Sequence, residues 1–256
     1  MRVLLLGGTG EARELAARLH PGVDVTSSLA GRVPNPALPV GQVRIGGFGG
    51  AQQLRQYLGD NGIDAVIDAT HPFAAAITAR AARVCAEIGM PHLVLARPAW
   101  EPGDATLVAS TTEAAEVVAK RHYSRVFLTT GRSQVAAFAD NDAWFLIRVV
   151  TEPDPGTLPC RCEVLLSRGP YRYDDERALL RNHRIDALVT KNSGGALTRP
   201  KLDAAAALAV PVVMVQRPPL PDGVSTAGTI DEAVAWADAQ DTTGGQSMVR
   251  PGSAAG

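Results

Sequence analysis

Long apolar runs are missing from this 256-residue chain, and so is an excess of charge of one sign. The longest apolar stretch, residues 204–215, is broken by Pro211 and is too short to span a bilayer. The first residues carry too few apolar positions before Gly7 for a signal-peptide core, and suit a buried strand instead. A formal net charge of -1 excludes a globally basic nucleic-acid binder while leaving room for a local basic site. Cysteine is scarce: Cys85, Cys160 and Cys162 are all there are. They build no disulfide framework, and Cys160-x-Cys162 lacks the second pair a zinc site needs, so no metal site is expected and a reducing cytoplasm is the simplest compartment. Lysine is nearly absent as well, at Lys120, Lys191 and Lys201 only, the other cations being arginine. What remains is a globular composition, 46% hydrophobic and 20% charged, long enough for one large or two small domains.

An internal repeat organises it. Arg2-Val3-Leu4-Leu5-Leu6 has a counterpart in Arg125-Val126-Phe127-Leu128-Thr129, and Ile63-Asp64-Ala65-Val66 in Ile185-Asp186-Ala187-Leu188. Residues 91–98 match residues 211–218, and the helical pattern from Glu113 matches that from Glu232. Each pair lies about 120 residues apart and in the same order, as duplicated halves require. Within each half, short β-rich runs alternate with helical patterns: strands at 3–6, 23–26, 43–45, 65–68 and 93–96, then at 126–129, 144–149, 164–166, 187–190 and 212–215. Helices are expected at 11–19, 51–58, 73–88, 174–181 and 195–208. Alternation of this kind predicts an α/β fold of two similar Rossmann-like parallel-sheet halves flanking a cleft. The expected division is 1–121 for a nucleotide-binding half, 122–240 for a second half on the substrate side, and 241–256 for a mobile tail.

Ligands of such sheets bind outside the carboxyl ends of the strands, so the loops there are the place to search. Gly7-Gly8-Thr9-Gly10-Glu11 follows the first strand and opens a helix, which suits a pyrophosphate, although a small-residue turn also simply makes a tight connection. At the end of the second strand an NAD site wants an acidic residue. The chain instead offers Ser28 and Arg32, which suit a 2′-phosphate and point to NADP. Gly46-Gly47-Phe48-Gly49-Gly50 is either a close-approach loop or a plain turn. In Asp68-Ala69-Thr70-His71-Pro72-Phe73, Pro72 fits a first helical position with Thr70 or His71 as cap; alternatively the loop lines a pocket with His71 as proton carrier.

In the second half, Thr129-Thr130-Gly131-Arg132, Ser167-Arg168, Lys191-Asn192-Ser193-Gly194-Gly195 and Gln216-Arg217 put cations after strands. That pattern predicts a positive binding surface in a protein that is not itself positive.

Taken together these loops resemble the precorrin-6A reductases of cobalamin synthesis, over residues 1–239. The resemblance implies a cytoplasmic enzyme that uses NADPH to reduce one double bond of precorrin-6A, an anionic tetrapyrrole, giving precorrin-6B. It implies cofactor contacts at Gly8, Thr9, Gly10, Glu11, Ser28, Arg32 and Thr70. The acetate and propionate carboxylates of the ring would meet Arg132, Arg168, Lys191, Asn192, Ser193 and Arg217. Lys201, with Lys191 as a second choice and His71 behind, is the expected proton donor, because a lysine among other cations can have its pKa lowered. Partners are then small molecules, with transient contacts to pathway enzymes, and neither nucleic acid nor membrane. A cobalt-precorrin-6A reductase, a two-domain nucleotide-sugar glycosyltransferase and a non-enzymatic NADPH sensor are the rival readings. The fuller glycine loop in the first half speaks against the glycosyltransferase, and the strand-end cations against the sensor.

Overall fold

In the computed structural model, residues 1–31 and 37–246 are described, with side chains as far as 242; Arg32 and residues 247–256 lie outside the described residues. The chain divides into two compact units, Met1–Arg97 with Pro219–Gly256, and Pro98–Pro218.

The first unit starts with β1 (Arg2–Leu6), α1 (Gly10–Leu19), β2 (Asp24–Leu29), β3 (Gln42–Ile45), α2 (Ala51–Asp60), β4 (Ala65–Asp68), α3 (Ala75–Ile88) and β5 (His92–Leu95). The second contains β6 (Thr106–Val108), α4 (Thr111–Lys120), β7 (Arg125–Leu128), a 3₁₀ segment Arg132–Phe138, β8 (Trp144–Val149) and β9 (Cys162–Leu166). It continues with α5 (Tyr173–Asn182), β10 (Ala187–Lys191), α6 (Pro200–Ala207) and β11 (Val212–Val215). The chain then returns to the first unit as β12 (Ser225–Ala227) and α7 (Ile230–Gln246).

Each unit has one six-stranded sheet whose pairings are all parallel, in the orders β12-β5-β4-β1-β2-β3 and β6-β11-β10-β7-β8-β9. The expected α/β class with two parallel-sheet halves is what the chain forms. Central strands are buried on both faces and therefore read as unbroken apolar runs: Val3 to Leu6 and Ala65 to Asp68 show no exposed position. In the first sheet the odd positions Val3, Leu5 and Ile67 pack with Leu15 of α1 and with Ala233 and Ala237 of α7. The even positions Leu4, Leu6 and Val66 pack with Leu54 and Leu58 of α2 and Val84 of α3. Each buried leucine in these layers contributes about 1.5–3 kcal/mol. In the second unit Phe127, Leu146, Leu188 and Met214 meet Leu180 of α5 and Leu202 of α6.

The repeat extends to helix capping. Ser110 accepts from the Glu113 amide while Glu113 accepts from the Ala109 amide; Thr229 and Glu232 do the same for the Glu232 and Gly228 amides.

Three expectations need correcting. The expected joint at 121/122 gives way to two crossings, because β6 and α4 belong to the second unit and β12 and α7 to the first. The expected tail from 241 begins inside α7, which runs to Gln246. Helix α6 starts at Pro200 rather than 195, since Gly194 and Gly195 take positive φ of 66° and 76° and proline fits the first helical turn.

Candidate functional site

In both sheets the strand order reverses beside the first strand of the half, so the switch points lie at the ends of β1 and β4, and of β7 and β10. These four strand ends carry the glycine loop, the Asp68–Phe73 loop, the Thr129–Arg132 loop and the Lys191–Gly195 loop.

In the first unit Thr9 caps α1. Its hydroxyl accepts from the Ala12 amide at 3.0 Å and donates to the Ala69 carbonyl at 2.9 Å, tying the two switch-point loops together. Gly8 holds a φ of 116°, and a Cβ there would meet nothing within 4 Å, so the backbone is open where a ligand would approach. The first amides of α1 have no partner within the helix and carry its positive dipole end. Glu11 is spent on Arg97, 2.7 Å away, and so contributes structure to the loop. Arg13, in the first turn, returns its guanidinium to the Thr9 carbonyl at 3.2 Å.

Ser28 is buried at the end of β2, and its hydroxyl accepts from Nη1 of Arg44 at 2.8 Å. Arg44, which sequence reasoning missed, is the register partner of Ser28 on β3. It also donates to the Gly46 and Gly47 carbonyls and lies 3.9 Å over the Phe48 ring and 5.1 Å from that of Tyr57. Its partners among the described residues are all uncharged, so a positive charge sits where an NAD site would place a carboxylate. Phe48 therefore belongs to the seat of Arg44, with its edge on Tyr57.

The Asp68–Phe73 loop differs from the expected capping. Helix α3 starts at Ala75 with Ala74 before it, so Pro72 is not its first residue. Thr70 turns back, its amide and hydroxyl donating to Oδ1 of Asp68 at 2.9 and 2.6 Å. Oδ2 of Asp68 is buried with no partner among the described residues. The Phe73 amide donates to Nδ1 of His71 at 3.2 Å, so the neutral imidazole carries its proton on Nε2.

In the second unit Thr129 donates from its hydroxyl to the Val189 carbonyl at 3.1 Å, joining β7 and β10 as Thr9 joins the loops of the first unit. Arg132 and Arg168 are exposed. Lys191 ends β10 half-buried, and burial lowers its pKa. Asn192 is engaged by the Trp100 backbone: its Oδ1 accepts from the amide at 2.8 Å and its amide donates to the carbonyl at 3.0 Å. Arg217 donates to the carbonyls of Asn192, Ser193 and Pro98 at 2.8, 3.0 and 3.1 Å. Those two side chains fasten the loop. Lys201 is buried, 4% exposed, where reach to a ring was expected. Its Nζ donates to the Thr198 carbonyl at 2.9 Å and lies 4.6 Å from the Trp100 ring. Its pKa is lowered to about 7 by burial, and further by Arg148, with Glu176 opposing. Among the described residues no cluster of metal-ligating side chains occurs, and no helix is long and apolar enough to cross a membrane.

Residues 2–238 match the family model described as precorrin-6x reductase CbiJ/CobK. The precorrin-6A reductase of Mycobacterium tuberculosis (strain ATCC 25618 / H37Rv) is 66% identical over 235 residues, covering 92% of this chain and 96% of that protein. That of Rhodococcus erythropolis is 53% identical over 241 residues, covering 92% and 96%. Among solved structures, CobK precorrin-6A reductase superposes with a TM-score of 0.88 at 34% identity, covering 94% of this chain and 97% of that one.

Proposed function

This chain belongs to the precorrin-6x reductase family and is a precorrin-6A reductase of cobalamin biosynthesis; we propose that its reductant is NADPH, held by the first unit, and that the second unit holds the tetrapyrrole. The observation that carries the cofactor choice is the Ser28–Arg44 pair at the end of β2. A hydroxyl and a guanidinium with no carboxylate partner among the described residues favour a 2′-phosphate there by charge-assisted hydrogen bonds and disfavour the bare ribose diol. The residues fit the rest of the cofactor: the open backbone at Gly8 and the first amides of α1, at Gly10 and Glu11, suit its pyrophosphate. Thr9 shapes that turn, and Arg32 would add a second cation at the 2′-phosphate. Thr70 and His71, at the neighbouring switch-point loop, would line the nicotinamide end.

When bound, NADPH supplies a hydride to one carbon of the ring's double bond. The protein's share is to orient the ring and deliver a proton to the adjacent carbon. Arg132, Arg168 and Ser193 at the strand ends of the second unit are the proposed contacts for the substrate's carboxylates. For the proton we assign Lys191 ahead of Lys201 and His71. Lys191 ends a strand at the switch point and burial makes its ammonium more acidic, whereas Lys201 is covered by Trp100. Lys191→Met is expected to lower kcat by roughly 10²–10⁴-fold with NADPH affinity retained, and Lys191→Arg not to restore it, since guanidinium does not release its proton. Full activity in Lys191→Arg would return the residue to carboxylate binding.

We place this activity in the cytoplasm, with transient contacts to neighbouring pathway enzymes and none to membrane or nucleic acid. The test of the whole reading is oxidation of NADPH and of NADH, followed by absorbance, with precorrin-6A present and absent. Oxidation of NADPH that requires precorrin-6A, and slow oxidation of NADH, are expected. Equal rates with both would defeat the cofactor assignment.

A further inference from the structure

Beneath the loops of the second unit lies a charged cluster of which two members, Arg148 and Glu176, have no step in the proposed reaction. Arg148 on β8 and Glu176 on α5 form a two-pronged pair, Nη1 to Oε1 at 2.5 Å and Nη2 to Oε2 at 2.9 Å, with side chains 5% and 2% exposed. A pair this dry gains little stability over apolar residues of the same volume, so its presence calls for another role. The guanidinium is stacked 3.7 Å over the Tyr171 ring and 4.7 Å from that of Phe127. The third charge is Lys201, on the first turn of α6, where the helix dipole adds to the cost of its ammonium.

Two aromatic rings carry this cluster to the loops. Tyr171, under Arg148, donates from its hydroxyl to the Ser167 carbonyl at 3.1 Å and from its amide to the Leu197 carbonyl at 3.1 Å. It thus fixes the turn that displays Arg168 and joins that turn to the loop before α6. Trp100, under Lys201, donates from Nε1 to the Gly195 carbonyl at 2.8 Å and holds Asn192 by its backbone. Lys201 itself holds the Thr198 carbonyl. Two of the loops with strand-end cations, 167–172 and 191–198, are therefore set from below by three charges and two rings.

We propose that Arg148, Glu176 and Lys201 are positioning residues, which through Tyr171 and Trp100 hold the 167–172 and 191–198 loops in the conformation that receives the substrate's carboxylates. This rests on the reading that those loops bind the tetrapyrrole. The groups facing Lys201 are Arg148 from β8, Glu176 from α5, the Trp100 ring and the Thr198 carbonyl. Loss of the Lys201 proton removes the attraction to Trp100, so substrate affinity falls as pH rises through about 7. Of the two charged groups facing it, Glu176 favours the charged form and Arg148 opposes it, so removing the charge of Glu176 moves that transition to lower pH.

The test uses the full chain, precorrin-6A and NADPH. The double variant Arg148→Met with Glu176→Leu replaces the pair by apolar side chains that keep the unit folded, as a thermal melt verifies. It is expected to raise KM for precorrin-6A about tenfold or more, with kcat within about twofold and NADPH affinity unchanged. Glu176→Gln is expected to move the inflection in the pH profile of KM to lower pH, and Lys201→Met to abolish it. An unchanged KM in the folded double variant, or a pH inflection that neither single variant moves, would overturn the proposal. Arg168→Ala separates the underlying reading: if it leaves KM for precorrin-6A unchanged while the double variant raises it, the cluster positions other contacts and the loop assignment fails instead. If Arg168→Ala raises KM and the double variant does not, the assignment stands and the positioning role falls.

Discussion

Ser28 and Arg44 are sixteen residues apart in the chain and side by side in the sheet, their hydrogen bond following from the β2–β3 register. Arg44 escaped sequence reading because it lies within a strand, and the search was directed at loops after strands. The sequence does not fix the register of two parallel strands, and residue 28 lay beyond the expected second strand, so only the structure sets residue 44 opposite residue 28. Arg44→Ala is expected to weaken NADPH binding by ~1–3 kcal/mol, the worth of a charge-assisted bond, and to leave NADH nearly unaffected. Fluorescence titration with each cofactor measures this, and Arg32→Ala is expected to act in the same direction. Equal weakening of both cofactors would mean that Arg44 only holds the Gly46–Gly47 turn.

Lys201 makes a second prediction at the same scale. Its folded pKa is lowered to about 7 from 10.5, so between those values the unfolded chain binds the additional proton. Stability therefore rises with pH across that window, relative to a variant without the group. Below about 7 both states are protonated and the cost of burying the ammonium is at its full value. The contribution across the window is of the order of a few kcal/mol. Chemical denaturation of the native protein and of Lys201→Met between pH 6 and 10 is expected to show a steeper rise for the native protein. Parallel curves would mean that the ammonium is better solvated than its burial implies.

At the scale of elements, strands with apolar runs were legible and short ones were not. β1, β4, β7, β8 and β10 agree with expectation because parallel strands buried on both faces have no polar alternation to confuse them. β6 and β12 have three residues each, Thr-Leu-Val and Ser-Thr-Ala, and carry too little pattern to be read. The charged cluster was hidden for the opposite reason. Arg148 follows Phe145-Leu146-Ile147 in a core strand and Glu176 precedes Leu180 by one helical turn, but nothing local says that two distant charges meet in the interior. The loop after β10 shows what a glycine can mean. Gly194 has a φ of 66°, and a Cβ there would lie 2.2 Å from the Pro98 carbonyl oxygen and 2.3 Å from Nη2 of Arg217. Gly194→Ala must move the loop away from the segment it is fastened to. A loss of about 1–3 kcal/mol in stability is expected, together with a raised KM for precorrin-6A. Denaturant melts and steady-state kinetics report the two separately, and a normal KM in a destabilised variant would confine Gly194 to folding.

At the scale of the whole chain, the repeat revealed two halves but not how they share strands. The matching segments lie about 120 residues apart, and a division at the repeat boundary is the natural inference from one period. Yet β6 follows β5 in sequence and pairs with β11, while β12 follows β11 and pairs with β5. Each sheet thus takes its edge strand from the part of the chain next to the other sheet. The result is asymmetric. Residues 98–218 contain every strand of the second sheet in one continuous piece, whereas the first sheet needs β12, and its core needs Ala227, Ala233 and Ala237 from beyond residue 218. A fragment of residues 98–218 is therefore expected to melt cooperatively by circular dichroism. A fragment of residues 1–121 is not, because it leaves one face of its sheet without α7 and carries β6 and α4 with no sheet to join. Joining residues 219–246 behind residue 97 by a flexible linker is expected to restore a cooperative melt, since the missing strand and helix are returned without any part of the second unit. Cooperative folding of both 1–121 and 122–240 as separate fragments would show that the exchanged strands add nothing to either core, and that the repeat boundary is the true joint.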